Sequence, residues 1–178
     1  MKSVLLAFAL VSALAAADRP RVTREALAGV EKNMDSAIRA MDINEPYDLL
    51  GFTRSVCLPG YGVVFTTEVN LVVTYINPFS PTPAGNALIQ LREKKQRRLA
   101  SMRVWMRQAL INAGASLDQV PGQDRIVYAM TLFYGSFEDR TGLPGQVVIE
   151  APRQALADFK AGRIDTQQLD AAIQAWEL

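Results

Sequence analysis

The chain has 178 residues, 49% of them hydrophobic and 21% charged, a composition typical of a globular protein and not of a disordered one. Its 19 basic and 18 acidic residues nearly cancel, so the net charge gives no support for a nucleic-acid partner, and none is expected. The chain contains no histidine and a single cysteine, Cys57. These counts exclude Ser-His-Asp and Cys-His catalysis, the common structural zinc sites and an intramolecular disulfide.

The N-terminal segment has the layout of a secretory signal peptide. Lys2 precedes an apolar run that extends from Val4 to about Ala17 and is rich in alanine near its end. This run is shorter than the roughly 20 apolar residues that a membrane-spanning helix needs. We therefore expect residues 1–17 to be a cleaved signal peptide and residues 18–178 to be a single exported domain without a transmembrane segment. The sequence leaves both the periplasm and full secretion open.

The spacing of apolar residues predicts alternating helices and strands. Helices are predicted at residues 23–41, with Thr23 as N-cap, and at 87–113, 154–160 and 166–176, the last with Thr166 as N-cap. Strands are predicted at residues 54–58, 63–75, 125–134 and 146–151. The segment between the second strand and the second helix, residues 76–87, contains three prolines and predicts an exposed loop.

This order of elements predicts an α+β layer sandwich. Two hairpin-like pairs of strands indicate a largely antiparallel sheet of about four strands, covered on one or both faces by amphipathic helices. The long helix between the two pairs must cross a face of the sheet. The strand at 125–134 is apolar on both of its faces, so we expect it to be central and covered on both sides.

The turn between the first two strands, Pro59-Gly60-Tyr61-Gly62, contains glycines whose role is best explained by turn geometry. It lacks the spacing of a dinucleotide-binding loop and precedes a strand, so it predicts no phosphate site. The segment 58–69, which contains this turn, resembles a hairpin of uncharacterised exported bacterial proteins in which a long charged helix also occurs. The resemblance implies a bacterial and periplasmic location, and it implies no activity, ligand or catalytic residue.

The strongest local charge feature is a basic run in the long helix. Arg92, Lys94, Lys95, Arg97 and Arg98 lie in this run, and it is continued by Arg103 and Arg107. Such a helix could contact a partner or an anionic surface, and Arg97, Arg98 and Arg103 are the candidate contact residues. A solvated helix face is the alternative. Lys95 is expected to lay its stem on apolar surface while its ammonium group stays in water.

Acidic groups give two further candidate sites. Glu68 and Asn70 are expected on the wetter face of the long strand, near Tyr61 and Cys57, where these groups could act as an acid-base set or a covalent site. Edge polarity with packing is the alternative, and it is the favoured one. Glu138 and Asp139, adjacent in a glycine-bounded loop, could attract a hard cation, but they do not match a calcium-binding loop. No metal or cofactor is predicted. Cys57 is expected to be buried and inert, because free cysteines are among the most buried residue types.

Three hypotheses for function follow from these patterns. The leading one is a non-enzymatic, exported binding or assembly module that contacts a protein partner or a second copy of itself. The second is a carboxylate-based hydrolase or transferase, which requires Tyr61, Glu68 and the pair Glu138-Asp139 to converge on one cleft. The third is a protein that binds an anionic envelope surface through the basic helix. No catalytic residue is assigned.

Overall fold

The computed structural model of the chain describes residues 22–74 and 85–178. The predicted signal peptide and most of the proline-rich segment lie outside these residues. Four helices belong to the described part, and they are α1 (Arg24–Ala40), α2 (Asn86–Ser116), α3 (Arg153–Lys160) and α4 (Thr166–Ala172). Six strands belong to it, and they are β1 (Asp48–Leu49), β2 (Arg54–Leu58), β3 (Gly62–Asn70), β4 (Arg125–Leu132), β5 (Gln146–Pro152) and β6 (Gln174–Glu177).

The six strands form one sheet in the order β1-β3-β4-β5-β6, with β2 paired to β3 on the same side as β1. All neighbouring strands are antiparallel except β3 and β4, which are parallel. Parallel neighbours need a long crossover connection, and α2 supplies it. The α+β fold with a largely antiparallel sheet is therefore confirmed, with two more strands than predicted.

The hydrophobic core lies between the helices and one face of the sheet. Successive residues of a strand point to opposite faces, and Val63, Phe65 and Val69 of β3 are completely buried on the face that α1 and α2 cover. The other face carries a separate set of side chains. Val127 and Val148 are also buried, but they are not part of this core cluster. In the described part of the chain, helices thus cover one face of the sheet, and we call the opposite face the second face.

The helix boundaries agree closely with the predictions at the N-terminus. Helix α1 begins after Thr23, whose side chain accepts a hydrogen bond from the backbone N–H of Ala26 at 3.2 Å. Two charged residues of α1, Glu31 and Asp35, are buried. Their burial follows from polar partners on the neighbouring strand segment, which are described below.

Two predicted strand ends are wrong. Strand β3 ends at Asn70 instead of continuing to Tyr75, because the Asn70 side chain accepts a hydrogen bond from the backbone N–H of Val72 and turns the chain. Strand β4 ends at Leu132, two residues early. It is central, as predicted, but described helices pack on only one of its two faces.

The C-terminal prediction is also wrong in part. The last helix stops at Ala172, and Gln174–Glu177 then pair with β5 as an edge strand. The backbone groups along the outer side of β5 would otherwise lack partners, which favours a strand over a continued helix. The N-cap of this helix is Asp165 and not Thr166. Within residues 22–74 and 85–178, no helix is both long and apolar enough to cross a bilayer.

Candidate functional site

The outer side of β2 is a free edge of the sheet. The only strand that pairs with β2 in the described part of the chain is β3, so alternate backbone N–H and C=O groups of β2 point away from the sheet. All five residues of β2 are exposed or half-buried. Val56 is 49% exposed and Leu58 is 41% exposed. Apolar side chains on an unpaired strand edge make a surface to which another extended chain can add.

The chain bulges outward just before this edge. Strands β1 and β2 both pair with β3, and residues 50–53 connect them. Phe52 points outward and is 66% exposed, whereas the next residue, Thr53, is almost completely buried. We call the outward-facing residues Phe52, Val56 and Leu58 the edge surface.

A chain of buried hydrogen bonds fixes the bulge to helix α1. The backbone N–H and the hydroxyl of Thr53 both donate to Asp35 Oδ1, at 2.9 and 2.6 Å. The Thr53 and Thr67 hydroxyl oxygens lie 2.8 Å apart, and the Tyr128 hydroxyl donates to Thr67 Oγ1 at 2.9 Å. Burial raises the pKa of Tyr128 well above its ordinary value, so this phenol stays protonated as a donor. These buried polar contacts anchor the bulge to α1 and to the core of the sheet.

A second polar contact joins α1 to β2 one helical turn away. The Arg24 guanidinium donates to both oxygens of Glu31, at 2.7 and 2.8 Å, and the Ser55 hydroxyl donates to the same carboxylate at 2.6 Å. Burial alone would raise the pKa of Glu31, but the hydrogen bonds from Arg24 and Ser55 outweigh it, and the pKa is lowered. Glu31 and Asp35 thus both face inward and both have partners.

Between α1 and the bulge lies an open groove of about 440 Å³. One wall is formed by α1 and the other by Phe52, Thr53 and Arg54, so the groove opens onto the start of β2. Its exposed cations on α1 are Lys32 and Arg39, and neither of them forms an ion pair within the described residues. The register of β2 places the Arg54 side chain on the second face of the sheet. Arg39 lies over the Phe52 ring, 6.0 Å from its centroid. Glu31 is paired with Arg24, and Asp35 is buried against Thr53, so the two exposed cations Lys32 and Arg39 dominate the surface charge of the groove.

The predicted acid-base set does not come together. Glu68 is exposed near the end of β3, and Tyr61 lies just before the start of that strand, about 23 Å away at 3.3 Å per residue. Register pairs Cys57 with Val63 on the helix-covered face, opposite to the face of Glu68. Asn70 shares the face of Glu68, but its side chain is used in the turn after β3.

Tyr61 has a different carboxylate partner, on the second face of the sheet. Its hydroxyl donates to Glu150 Oε2 at 2.8 Å, and this hydrogen bond, with partial burial, raises the pKa of Tyr61. The other oxygen of Glu150 lies 2.7 Å from a terminal guanidinium nitrogen of Arg125. The two side chains form an ion pair, but their geometry does not make a hydrogen bond. No sequence pattern predicted this trio, because its members are separated by long stretches of chain.

The predicted basic contact residues differ in their surroundings. Arg98 is buried, lies 3.8 Å from the centre of the Tyr47 ring, and bonds Asp42 at 3.2 Å and the Glu45 carbonyl at 2.7 Å. Arg103 is exposed and pairs with Glu177 of β6 at 2.6 Å. Arg97 is exposed and forms no ion pair with the described residues.

The expectation for Lys95 is wrong. Its side chain is fully buried, and its ammonium group lies 2.5 Å from Glu138, whose side chain is only 5% exposed. The neighbouring Asp139 pairs with Arg92 and accepts a hydrogen bond from the backbone N–H of Thr141. Both loop carboxylates therefore serve as partners of α2 cations. Within the described residues, no group of three or more cysteine, aspartate or glutamate side chains could hold a metal ion.

The expectation that Cys57 is buried is also wrong, because the thiol is exposed. The cause is the position of Cys57 on an edge strand, which has β3 as its one neighbouring strand in the part of the chain that the structure describes. No sequence pattern predicted Lys32, Arg39 or Phe52 as contact residues. The only signal for them was Gly51-Phe52, an aromatic residue placed beside a glycine just before a short strand.

Comparison with known proteins adds no relative to this description. No protein-family model, no curated protein and no solved structure matches the chain.

Proposed function

We propose that this protein is a non-enzymatic, exported binding module, and that it contacts a protein partner through the edge surface of Phe52, Val56 and Leu58. The observation that carries the proposal is the exposed apolar character of a sheet edge that hydrogen bonds anchor to α1. An edge that is already anchored has less conformational entropy to lose when a partner binds, which favours affinity. Export to the periplasm is part of the proposal and rests on the sequence of residues 1–17.

The two alternatives have weaker support. A carboxylate-based hydrolase or transferase would need Tyr61, Glu68 and Glu138 in one cleft, and these groups lie at separate places. Tyr61 is bonded to Glu150, and Glu138 is paired with Lys95. An anionic-surface binder would need free cations along α2, and most of that basic run is paired with acidic side chains.

The test is the mass of the protein under non-denaturing conditions after purification from its native source. We expect a mass above that of the chain, which falls to that of the chain on denaturation. Val56→Glu combined with Leu58→Glu should abolish the excess mass, because buried charges on the contact surface oppose association. The matched control is Val104→Glu. Val104 is 73% exposed, and the residue before it pairs with β6 at the opposite edge of the sheet.

Circular dichroism and thermal unfolding establish that all three proteins are folded. A complex that survives in the edge variant but not in Val104→Glu would contradict the proposed surface. A bare monomer for the wild-type chain would contradict the binding module itself.

A further inference from the structure

The groove beside β2 and the free edge of β2 form one continuous surface, because Arg54 both lines the groove and begins the strand. We infer that this surface accepts an extended acidic peptide segment of the partner, which adds to the outer side of β2 as a further strand. The inference rests on the proposed function and specifies the chemistry of its partner.

Strand addition is favoured by the geometry of the edge. The unpaired backbone groups of β2 can form main-chain hydrogen bonds with an extended peptide, and such bonds supply affinity without regard to peptide sequence. Helix α1 runs beside the edge and makes the second wall of the groove. A strand added here would have every other side chain on the helix-covered side and the remainder on the second face of the sheet.

The charges of the groove select the side chains on the helix-covered side. Lys32 and Arg39 are exposed on α1, have no ion-pair partner among the described residues, and lie about 10 Å apart along the helix, at 1.5 Å per residue. Carboxylates of the peptide would neutralise them. On the second face, Val56 and Leu58 offer apolar contacts. The preferred peptide therefore alternates acidic and apolar residues.

A second copy of the chain is a poorer occupant than an acidic peptide. Strand β2 has the sequence Arg-Ser-Val-Cys-Leu and contains no acidic residue. Self-pairing of two β2 edges would bring the cations of both copies to one interface without any carboxylate from either strand. Such an arrangement costs free energy through like-charge repulsion.

The experiment uses the single cysteine as a built-in reporter. Cys57 is exposed on β2, so an environment-sensitive fluorophore attached to it reports occupancy of the edge. The probes are a short acetylated peptide of alternating valine and glutamate and its counterpart of alternating valine and lysine. We expect the glutamate peptide to change the fluorescence with a dissociation constant below about 1 mM. Its affinity should fall with added salt, and the lysine peptide should not bind.

Charge reversal locates the site. Arg39→Glu should weaken binding of the glutamate peptide about tenfold or more. Arg97→Glu, the same change at an exposed arginine of α2 that is also unpaired among the described residues, should leave it within about twofold. Equal losses in the two variants, equal binding of the two peptides, or no binding up to about 1 mM would each overturn the inference.

The outcomes separate this inference from the proposed function. If the glutamate peptide does not bind but the native complex still depends on Val56 and Leu58, the inference of an added acidic strand is wrong and the proposed binding module stands. If sedimentation of the wild-type chain instead shows a dimer that Val56→Glu and Leu58→Glu dissociate, the occupant is a second copy and the inference is overturned. If the glutamate peptide does not bind and no native complex depends on Val56 and Leu58, both proposals are wrong.

Discussion

At the scale of single residues, the turn that leads from β2 into β3 depends on two glycines for different reasons. Gly60 and Gly62 both have positive φ angles, of 76° and 141°. Nothing lies within 4 Å of the position that a Cβ atom would take at Gly60, whereas at Gly62 it would lie 1.8 Å from the backbone oxygen of Arg125. Gly62 is therefore required for the close approach of β3 and β4, and Gly60 only for the turn itself.

Replacement of each glycine by alanine should separate these roles. Gly60→Ala should lower the free energy of unfolding by about 1 kcal/mol, the cost of a left-handed conformation for a residue with a Cβ atom. Gly62→Ala should lower it by about 3 kcal/mol or more, since backbone must move apart to admit the methyl group. Urea unfolding followed by circular dichroism measures both values. Equal losses would show that β3 and β4 do not approach as described.

At the scale of elements, the start of α4 shows which residue caps a helix. Asp165 accepts a hydrogen bond from the backbone N–H of Gln168 at 2.8 Å, and the Gln168 side chain accepts one from the backbone N–H of Asp165 at 3.0 Å. This is a reciprocal capping box. Thr166, the predicted cap, is already the first residue of the helix.

Alanine substitutions at these adjacent positions form a matched pair. Asp165→Ala should lower the free energy of unfolding by about 1 kcal/mol, because the backbone N–H of Gln168 loses its acceptor and the capping box is broken. Thr166→Ala should change it by less than about 0.5 kcal/mol, since exposed positions away from a cap contribute little. Thermal unfolding of both variants measures the difference. A larger loss for Thr166→Ala would mean that the predicted cap is the correct one.

Element types were predictable from periodicity, and element ends were not. The apolar stripe of α1 and the alternation in β3 are local patterns, so the sequence predicts both elements. The end of α4 depends instead on β5, whose free backbone groups hold Gln174–Glu177 as a strand. Similarly, the burial of Lys95 depends on Glu138, which lies 43 positions further along the chain and is brought close only by the fold.

At the scale of the whole molecule, the layered α+β architecture was predictable, but the arrangement of the sheet was not. The order of helices and strands predicts layers. It does not determine which strand of the first hairpin pairs with which strand of the second hairpin at the centre of the sheet. In the structure β3 and β4 meet in parallel, which leaves β2 at an edge. The candidate site consists of that edge and of α1, so it follows from the topology and could not be found by inspecting residues along the chain.

The stability of the folded molecule should respond to pH mainly at the extremes, because the chain contains no histidine. On the acid side, hydrogen bonds lower the pKa of Glu31, as described above, and the backbone N–H of Glu45 helps to lower that of Asp42. A lowered pKa stabilises the fold above the unfolded value, and this contribution is lost as the pH falls through the folded value. We therefore expect unfolding free energy to decline below about pH 4 and to change little between about pH 5 and 9.

On the alkaline side, the tyrosines determine the loss of stability. All four tyrosines that the structure describes have raised pKa values, and burial raises that of Tyr134 to about 12. Folded tyrosines stay protonated above about pH 10, where the unfolded chain releases those protons. Stability is therefore complete below the unfolded value and is lost as the pH rises from there through the folded values. Tyrosinate absorbance should appear together with unfolding, and Tyr128→Phe should make the alkaline decline shallower. Full tyrosinate absorbance near pH 10 in a chain that remains folded would contradict the burial of these phenols.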